Sequence, residues 1–250
     1  MYTLLAPLRV LWKVYFFLVF SLTLILLYPV FYLFLSRQKW FPLAFQSMRF
    51  WGFLLRTIPG IALLVKRKAP LPPAPFVICS NHSSYIDIIM MYGVIPNYFV
   101  FMGKAEINSW PLFRIFFTRQ MNISVERGSV SGAQQALDRA REDLDKGHNI
   151  AIFPEGTIPS DAPNMLRFKN GAFKLAIDKQ VPIVPVTFLD NWKRLQTGAV
   201  LKSRGGPGRA RAIVHPAVPT KGLGEKDLLA LRQRVYEIIQ APLAEAYGSQ

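Results

Sequence analysis

The sequence predicts an α/β fold, a sheet flanked by helices, with an apolar helical segment ahead of it. Three observations lead there. From residue 76 onward, short runs rich in Val, Ile and Phe alternate with stretches of helical periodicity. Before residue 70 there are nine basic residues and no acidic one, around a run of 22 residues (14–35) without a charge. Polar residues able to do chemistry stand directly after several of the apolar runs, where ligand sites gather in open α/β sheets.

At 250 residues the chain has room for one sizeable domain and an appendage, and 51% hydrophobic residues exclude a disordered chain. The net charge of +15 is unevenly spread. The first acid is Asp87, and the remainder carries 21 basic against 15 acidic residues. A basic, apolar N-terminal part points to anionic lipid rather than nucleic acid. The one cysteine, Cys79, excludes a disulfide framework and falls in a predicted core strand.

The uncharged run from Val14 to Leu35 would span about 33 Å as a helix, roughly the thickness of a bilayer's hydrocarbon layer. It is too long for a signal-peptide core and reads as a retained membrane segment. Trp40 to Val65, interrupted by Arg49, Arg56 and Pro59-Gly60, reads as an amphipathic interfacial helix ending in Lys66-Arg67-Lys68. Basic residues flank both segments alike, so the positive-inside rule keeps all flanks cytoplasmic and favours a helical hairpin within one leaflet over a full span. Pro70 to Pro75 reads as a stiff linker. The expected organisation is a membrane anchor over 1–69, a linker over 70–75 and a globular domain over 76–250, membrane-associated on the cytoplasmic face.

In that domain Phe76–Cys79, Tyr98–Met102, Met121–Val125, Ile150–Phe153, Val181–Phe188 and Ala210–Val214 read as strands. Pro182 and Pro185 predict an edge or bulged course for the fifth of these. Helices are expected over Ile86–Met91, Trp110–Phe117, Ser131–Lys146 with Gly147 as its stop, Gly171–Asp178 and Lys226–Ala246.

The first strand leads into Ser80-Asn81-His82-Ser83-Ser84-Tyr85-Ile86-Asp87. A histidine with a carboxylate five positions on suits a general base and its orienting acid. On one continuous helix the two side chains would diverge by about 140°, so they meet only with His82 in the turn and Asp87 in the first helical turn. Ser84-x-x-Asp87 equally fits a capping box, in which Asp87 only caps the helix. Lys104, Arg127 and the loop Phe153-Pro154-Glu155-Gly156-Thr157 also follow predicted strands. With Lys169 the two bases form a candidate phosphate pocket, although each alone fits an ordinary solvated cation. Among the three histidines, His148 reads as a helix C-terminal contact and His215 as a loop residue, and no metal-ligand spacing appears.

Taken together these blocks resemble the lysophospholipid acyltransferases of the 1-acylglycerol-3-phosphate acyltransferase type over roughly residues 76–190. Asn81-His82 with Asp87 is similar to that family's Asn-His-x-x-x-x-Asp block. Phe153–Thr157 is similar to its Phe-Pro-Glu-Gly-Thr block, Phe168–Ala172 to its Phe-Lys-x-Gly-Ala stretch, and Val181–Val186 to its Val-Pro-Ile-Val-Pro-Val block. The resemblance implies a mixed sheet of the glycerolipid acyltransferase kind. It also implies transfer of a fatty acyl group to the sn-2 hydroxyl of 1-acyl-glycerol 3-phosphate (lysophosphatidic acid), making phosphatidic acid. The donor would be acyl-CoA or acyl-carrier protein as cosubstrate, without a further cofactor. His82 would be the base and Asp87 its partner; Glu155, Gly156, Thr157, Lys104, Arg127 and Lys169 would seat the glycerol phosphate, and backbone N–H groups near the helix start would hold the oxyanion. Many members follow Phe-Pro-Glu-Gly-Thr with arginine; here Ile158 follows, which leaves glycerol 3-phosphate or a lyso-aminolipid as alternative acceptors and Arg167 as a candidate substitute. A serine hydrolase is disfavoured by the lack of a Gly-x-Ser-x-Gly elbow. A non-catalytic membrane-binding protein leaves the His–Asp and Glu-Gly-Thr blocks unexplained.

Overall fold

The computed structural model describes residues 6–104, 112–126 and 129–248, with the backbone alone at Lys104 and Val130. Seven strands form one sheet: β1 (Ile61–Arg67), β2 (Val77–Ser80), β3 (Phe99–Lys104), β4 (Ile123–Val125), β5 (Asn149–Ile152), β6 (Ile183–Phe188) and β7 (Gly208–Val214). Their order is β1-β7-β6-β2-β5-β3-β4. Strands β6, β2, β5, β3 and β4 run parallel, whereas β7 pairs antiparallel with β6 and carries β1 parallel to itself. The sheet is therefore mixed, and the C-terminal ends of its five parallel strands share one edge.

Both faces are covered, which is why the strands read as continuous apolar runs. Successive residues point to opposite faces. Ile78, Phe99, Phe101, Ala151, Val184 and Val186 pack toward α1 (Ala6–Phe34), α2 (Phe41–Thr57), α3 (Ile86–Val94) and α4 (Ile115–Thr118). Val77, Cys79, Val100, Ile150 and Ile183 pack toward α5 (Val130–Asp145), α6 (Gly171–Lys179) and α8 (Leu228–Tyr247). The short α7 (Asn191–Arg194) follows β6. Helix α5 starts where the Ser129 hydroxyl accepts from the Gly132 N–H at 3.0 Å. It ends at Gly147, whose φ of +80° supplies the left-handed stop that glycine makes without strain.

The N-terminal helix α1 is 29 residues long and apolar enough to cross a membrane. It nevertheless touches the domain along its length. The Trp12 indole donates to the Pro59 carbonyl at 2.9 Å, the Lys13 ammonium to the Ser203 and Val200 carbonyls at 2.6 and 2.9 Å. Phe20 stacks on Phe113, and Phe31 meets Phe116 edge-on. The opposite face, with Leu11, Leu18, Leu22 and Leu26, is exposed. Helix α2 packs beside it, joined by the Trp51 indole donating to the Thr23 hydroxyl at 2.9 Å.

One expectation needs correction. Residues 61–67, read as the end of an amphipathic helix, are strand β1, because Gly60 (φ +79°) ends the helical course and Ile61, Leu63 and Val65 then alternate inward. Strand β6 takes the bulged course that its two prolines allowed, and it does so in the interior of the sheet, not at an edge. Val186 faces Val214 and Ile183 faces Val218, so three steps on β6 oppose four on the partner. Pro185, which has no N–H to give, lies within that slip, its carbonyl accepting from the His215 N–H at 3.0 Å. His215 follows β7 in the loop expected for it, and is buried there beside β6.

Candidate active site

Strand β2 delivers its last residues to the shared C-terminal edge. There the Asn81 side chain continues the pairing with β6, its amide donating to the Phe188 carbonyl at 3.0 Å and accepting from the Phe188 N–H at 2.8 Å. This fixes the backbone just before His82. The His82 ring lies parallel on Phe153, the residue after β5, with centroids 4.1 Å apart.

His82 and Asp87 meet as the turn geometry required: Nδ1 stands 2.9 Å from Asp87 Oδ2. Asp87 is fully buried, while the His82 side chain keeps 14% of its surface open. Oδ2 also accepts from the Ser83 and Ser84 backbone N–H groups at 2.6 and 2.8 Å. The capping and orienting roles therefore coexist in one carboxylate. Oδ1 accepts from the Asn191 amide at 2.7 Å and faces the Ser83 hydroxyl at 3.4 Å. An acceptor-only carboxylate at Nδ1 assigns the proton there and leaves Nε2 with its lone pair, the form a general base needs.

These bonds occupy the helix start. The N–H groups of Ser83 and Ser84 go to Asp87, that of Asp87 to the Ser84 carbonyl and that of Ile86 to the Ser84 hydroxyl. Four N–H groups of this turn, those of Ser83, Ser84, Ile86 and Asp87, are thus engaged internally.

The Phe153–Thr157 loop joins the same centre through the backbone. Glu155 is buried, its Oε1 accepting from the His82 N–H at 2.8 Å and its Oε2 from the Leu166 N–H at 2.7 Å. Burial pushes its carboxyl up to about 7, opposed by those two N–H bonds and reinforced by Asp87 and Asp161. Glu155 therefore braces the 82–87 turn against the 155–166 loop. Gly156 turns with φ +77°, and a Cβ there would lie 2.9 Å from the Lys169 ammonium. Lys169 thus lies across Gly156, while its own N–H donates to the Pro154 carbonyl at 2.8 Å. Thr157 and Arg167 are exposed on the same loop.

Of the expected site residues, the structure brings together His82, Asp87, Glu155, Gly156 and Lys169, with Thr157 adjoining. Lys104 ends β3 at this edge, its backbone paired with Val125; its side chain and Arg127 lie outside the described residues. Two contributors went unread. Phe153, quoted only as part of a block, carries the imidazole. Asn191 reaches Asp87 from 104 positions away, a separation at which no local spacing gives a signal.

The profile of the Acyltransferase family matches residues 62–189. The protein named 1-acyl-sn-glycerol-3-phosphate acyltransferase alpha in sheep, Ovis aries, is 33% identical over 196 residues, covering 72% of this chain and 62% of the sheep protein. The human protein of the same name is also 33% identical, over 72% of this chain and 63% of its own length. The match thus spans less than two thirds of these relatives. The crystal structure of the 1-acyl-sn-glycerophosphate (LPA) acyltransferase PlsC from Thermotoga maritima aligns with a TM-score of 0.70 over 98% of this chain and 95% of that one. At 23% identity that likeness shows a shared fold.

Proposed function

The chain belongs to the acyltransferase family, and from that premise we propose that it transfers a fatty acyl group from an acyl thioester to the sn-2 hydroxyl of 1-acyl-glycerol 3-phosphate, giving phosphatidic acid. The observation that carries this reading is the buried Asp87 carboxylate 2.9 Å from His82 Nδ1, which leaves Nε2 with its lone pair on a ring that stays 14% exposed. His82 Nε2 takes the proton of the acceptor hydroxyl as its oxygen attacks the thioester carbonyl. Asp87 holds the tautomer and offsets the charge on the imidazolium. The intermediate collapses as the carbon–sulfur bond breaks, and the departing thiolate recovers the proton from His82. No protein nucleophile is needed.

Lys169, over Gly156, offers a cation to the acceptor's phosphate; Lys104, Arg127 and Thr157 are assigned to the same headgroup by their place in the chain. Glu155 acts on the reaction through the backbone of His82. The acyl donor is acyl-CoA or acyl-carrier protein.

The protein works at a membrane. Contacts to the domain at Trp12 and Lys13 and again at Phe31 hold both halves of α1 on one side, which favours burial in a single leaflet over a span. Arg37→Cys tests this, because the native Cys79 is buried. Labelling by an impermeant maleimide from the side that exposes the catalytic domain is expected; labelling only from the opposite side would overturn the one-leaflet arrangement.

For the reaction, thiol release from a long-chain acyl-CoA by detergent-purified protein should depend on added lysophosphatidic acid. Release that responds only to glycerol 3-phosphate or a lyso-aminolipid would reassign the headgroup, consistent with Ile158 in the loop. Silence with every acceptor and both donors would overturn the reaction.

A further inference from the structure

The geometry points to Asn191 as a positioning residue for the base, the third member of a His82–Asp87–Asn191 relay; this deepens the proposed reaction and rests on it. Asn191 begins α7, directly after β6, and its side chain is fully buried. Its amide nitrogen donates to Asp87 Oδ1 at 2.7 Å, the oxygen of that carboxylate that does not face His82. Asn191 Oδ1 has no hydrogen-bond partner among the described residues. A buried amide with an unsatisfied oxygen is unfavourable as mere packing, since an apolar side chain of similar shape would avoid that desolvation. The contact it does make is with the carboxylate that orients the imidazole.

The connection has a second strand. The Ser84 hydroxyl donates to the Leu195 carbonyl, and the Leu195 N–H closes on the Asn191 carbonyl at 3.1 Å. The segment after β6 therefore grips the 82–87 turn at both its hydroxyl and its carboxylate. With three donors on Oδ2 and Asn191 on Oδ1, the carboxylate cannot rotate without breaking a charge-assisted bond. Asn191 thus fixes the plane in which Asp87 presents Oδ2 to His82, and it touches no reacting atom itself.

Full-length wild type, Asn191→Leu and Asn191→Asp are to be compared in detergent for kcat, acceptor KM and melting. Asn191→Leu keeps the volume and removes the donor; kcat is expected to fall about tenfold to a hundredfold with KM within about twofold. A kcat within about twofold of wild type would overturn the assignment. Should Asn191→Leu fail to melt cooperatively, Asn191→Asp decides. While protonated, its carboxyl donates to Asp87 Oδ1 as the amide does; once ionised, it repels Asp87. Charged or titratable groups around this pair are His82, Glu155 on the adjacent loop, Asp190 just before Asn191 with its partner Arg211 on β7, and Lys193 and Arg194 on α7. Turnover relative to wild type should be highest at acid pH and fall as pH rises, whereas a loss equal at every pH would overturn the relay. Nitrogen-15 histidine NMR, with His82→Gln to assign the signal, separates this from failure of the reaction itself. If wild type proves inert, a His82 Nδ1 signal unchanged by Asn191→Leu still overturns the positioning role, and a displaced signal supports it.

Discussion

Two histidines of this protein make different contacts at the sheet, and the contrast shows what equips one of them for its proposed role as base. His82 follows β2, meets a carboxylate at Nδ1 and keeps part of its ring open. His215 follows β7, which runs the opposite way; its Nε2 lies 2.9 Å from the Thr187 hydroxyl, which donates onward to the Ile239 carbonyl at 3.0 Å. That hydroxyl therefore accepts from His215 and offers no negative charge. Burial pulls His215 down to about 4, with Lys68 adding repulsion. Both rings are well held, but only His82 has an anion positioned to offset the charge it gains on taking a proton.

The largest expected effect breaks the contrast at its anion. Asp87→Asn keeps the size but removes the charge and presents a donor where Nδ1–H needs an acceptor; kcat should fall about 10² to 10⁴-fold. If it fell no further than in His215→Leu, the distinction between the two histidines would be lost. His215→Leu should leave turnover within about twofold and lower stability by about 1 kcal/mol at neutral pH.

Next comes the phosphate side. Lys169→Ala should raise the KM for lysophosphatidic acid about tenfold with a smaller change in kcat. An unchanged KM would remove Lys169 from the headgroup.

The smallest effects sharpen the comparison through pH. His215 has a depressed value in the fold, so its contribution is present above its ordinary 6.5 and lost as pH falls through about 4. The stability gap between wild type and His215→Leu should therefore narrow on acidification. Glu155 is shifted the other way: its contribution is present below its ordinary 4.5 and lost as pH rises through about 7, on the order of 3 kcal/mol. Glu155→Gln should flatten that decline, although it gives up one of the two backbone bonds. Melting followed across this window would contradict the assignment if the variant kept the wild-type slope.

What was legible in the sequence was local. The β2–turn–α3 block could be read because strand, turn, serines and carboxylate lie within about ten residues and each constrains the next. The run from Ser131 to Lys146 was equally readable, since its helical spacing and its Gly147 stop are both local. The strand at 61–67 was hidden because Pro59-Gly60 resembles a break within a helix as much as its end, and only pairing with β7 decides. For β6 the prolines left an edge and a bulged course open, and only the partner's slip between Val214 and Val218 decides for the bulge. Within the site, the contact between His82 and Asp87 was readable and its supports were not. Asn191 reaches Asp87, and Glu155 reaches the His82 backbone, across 104 and 73 positions that only the fold brings together.

The most direct test is acceptor-dependent thiol release from acyl-CoA by wild type and His82→Ala, each verified as folded by its melting transition. Removing the ring leaves Asp87 and the loop without the group that takes the proton. Release should disappear in the variant while melting remains cooperative; turnover equal to wild type would contradict the base assigned to His82.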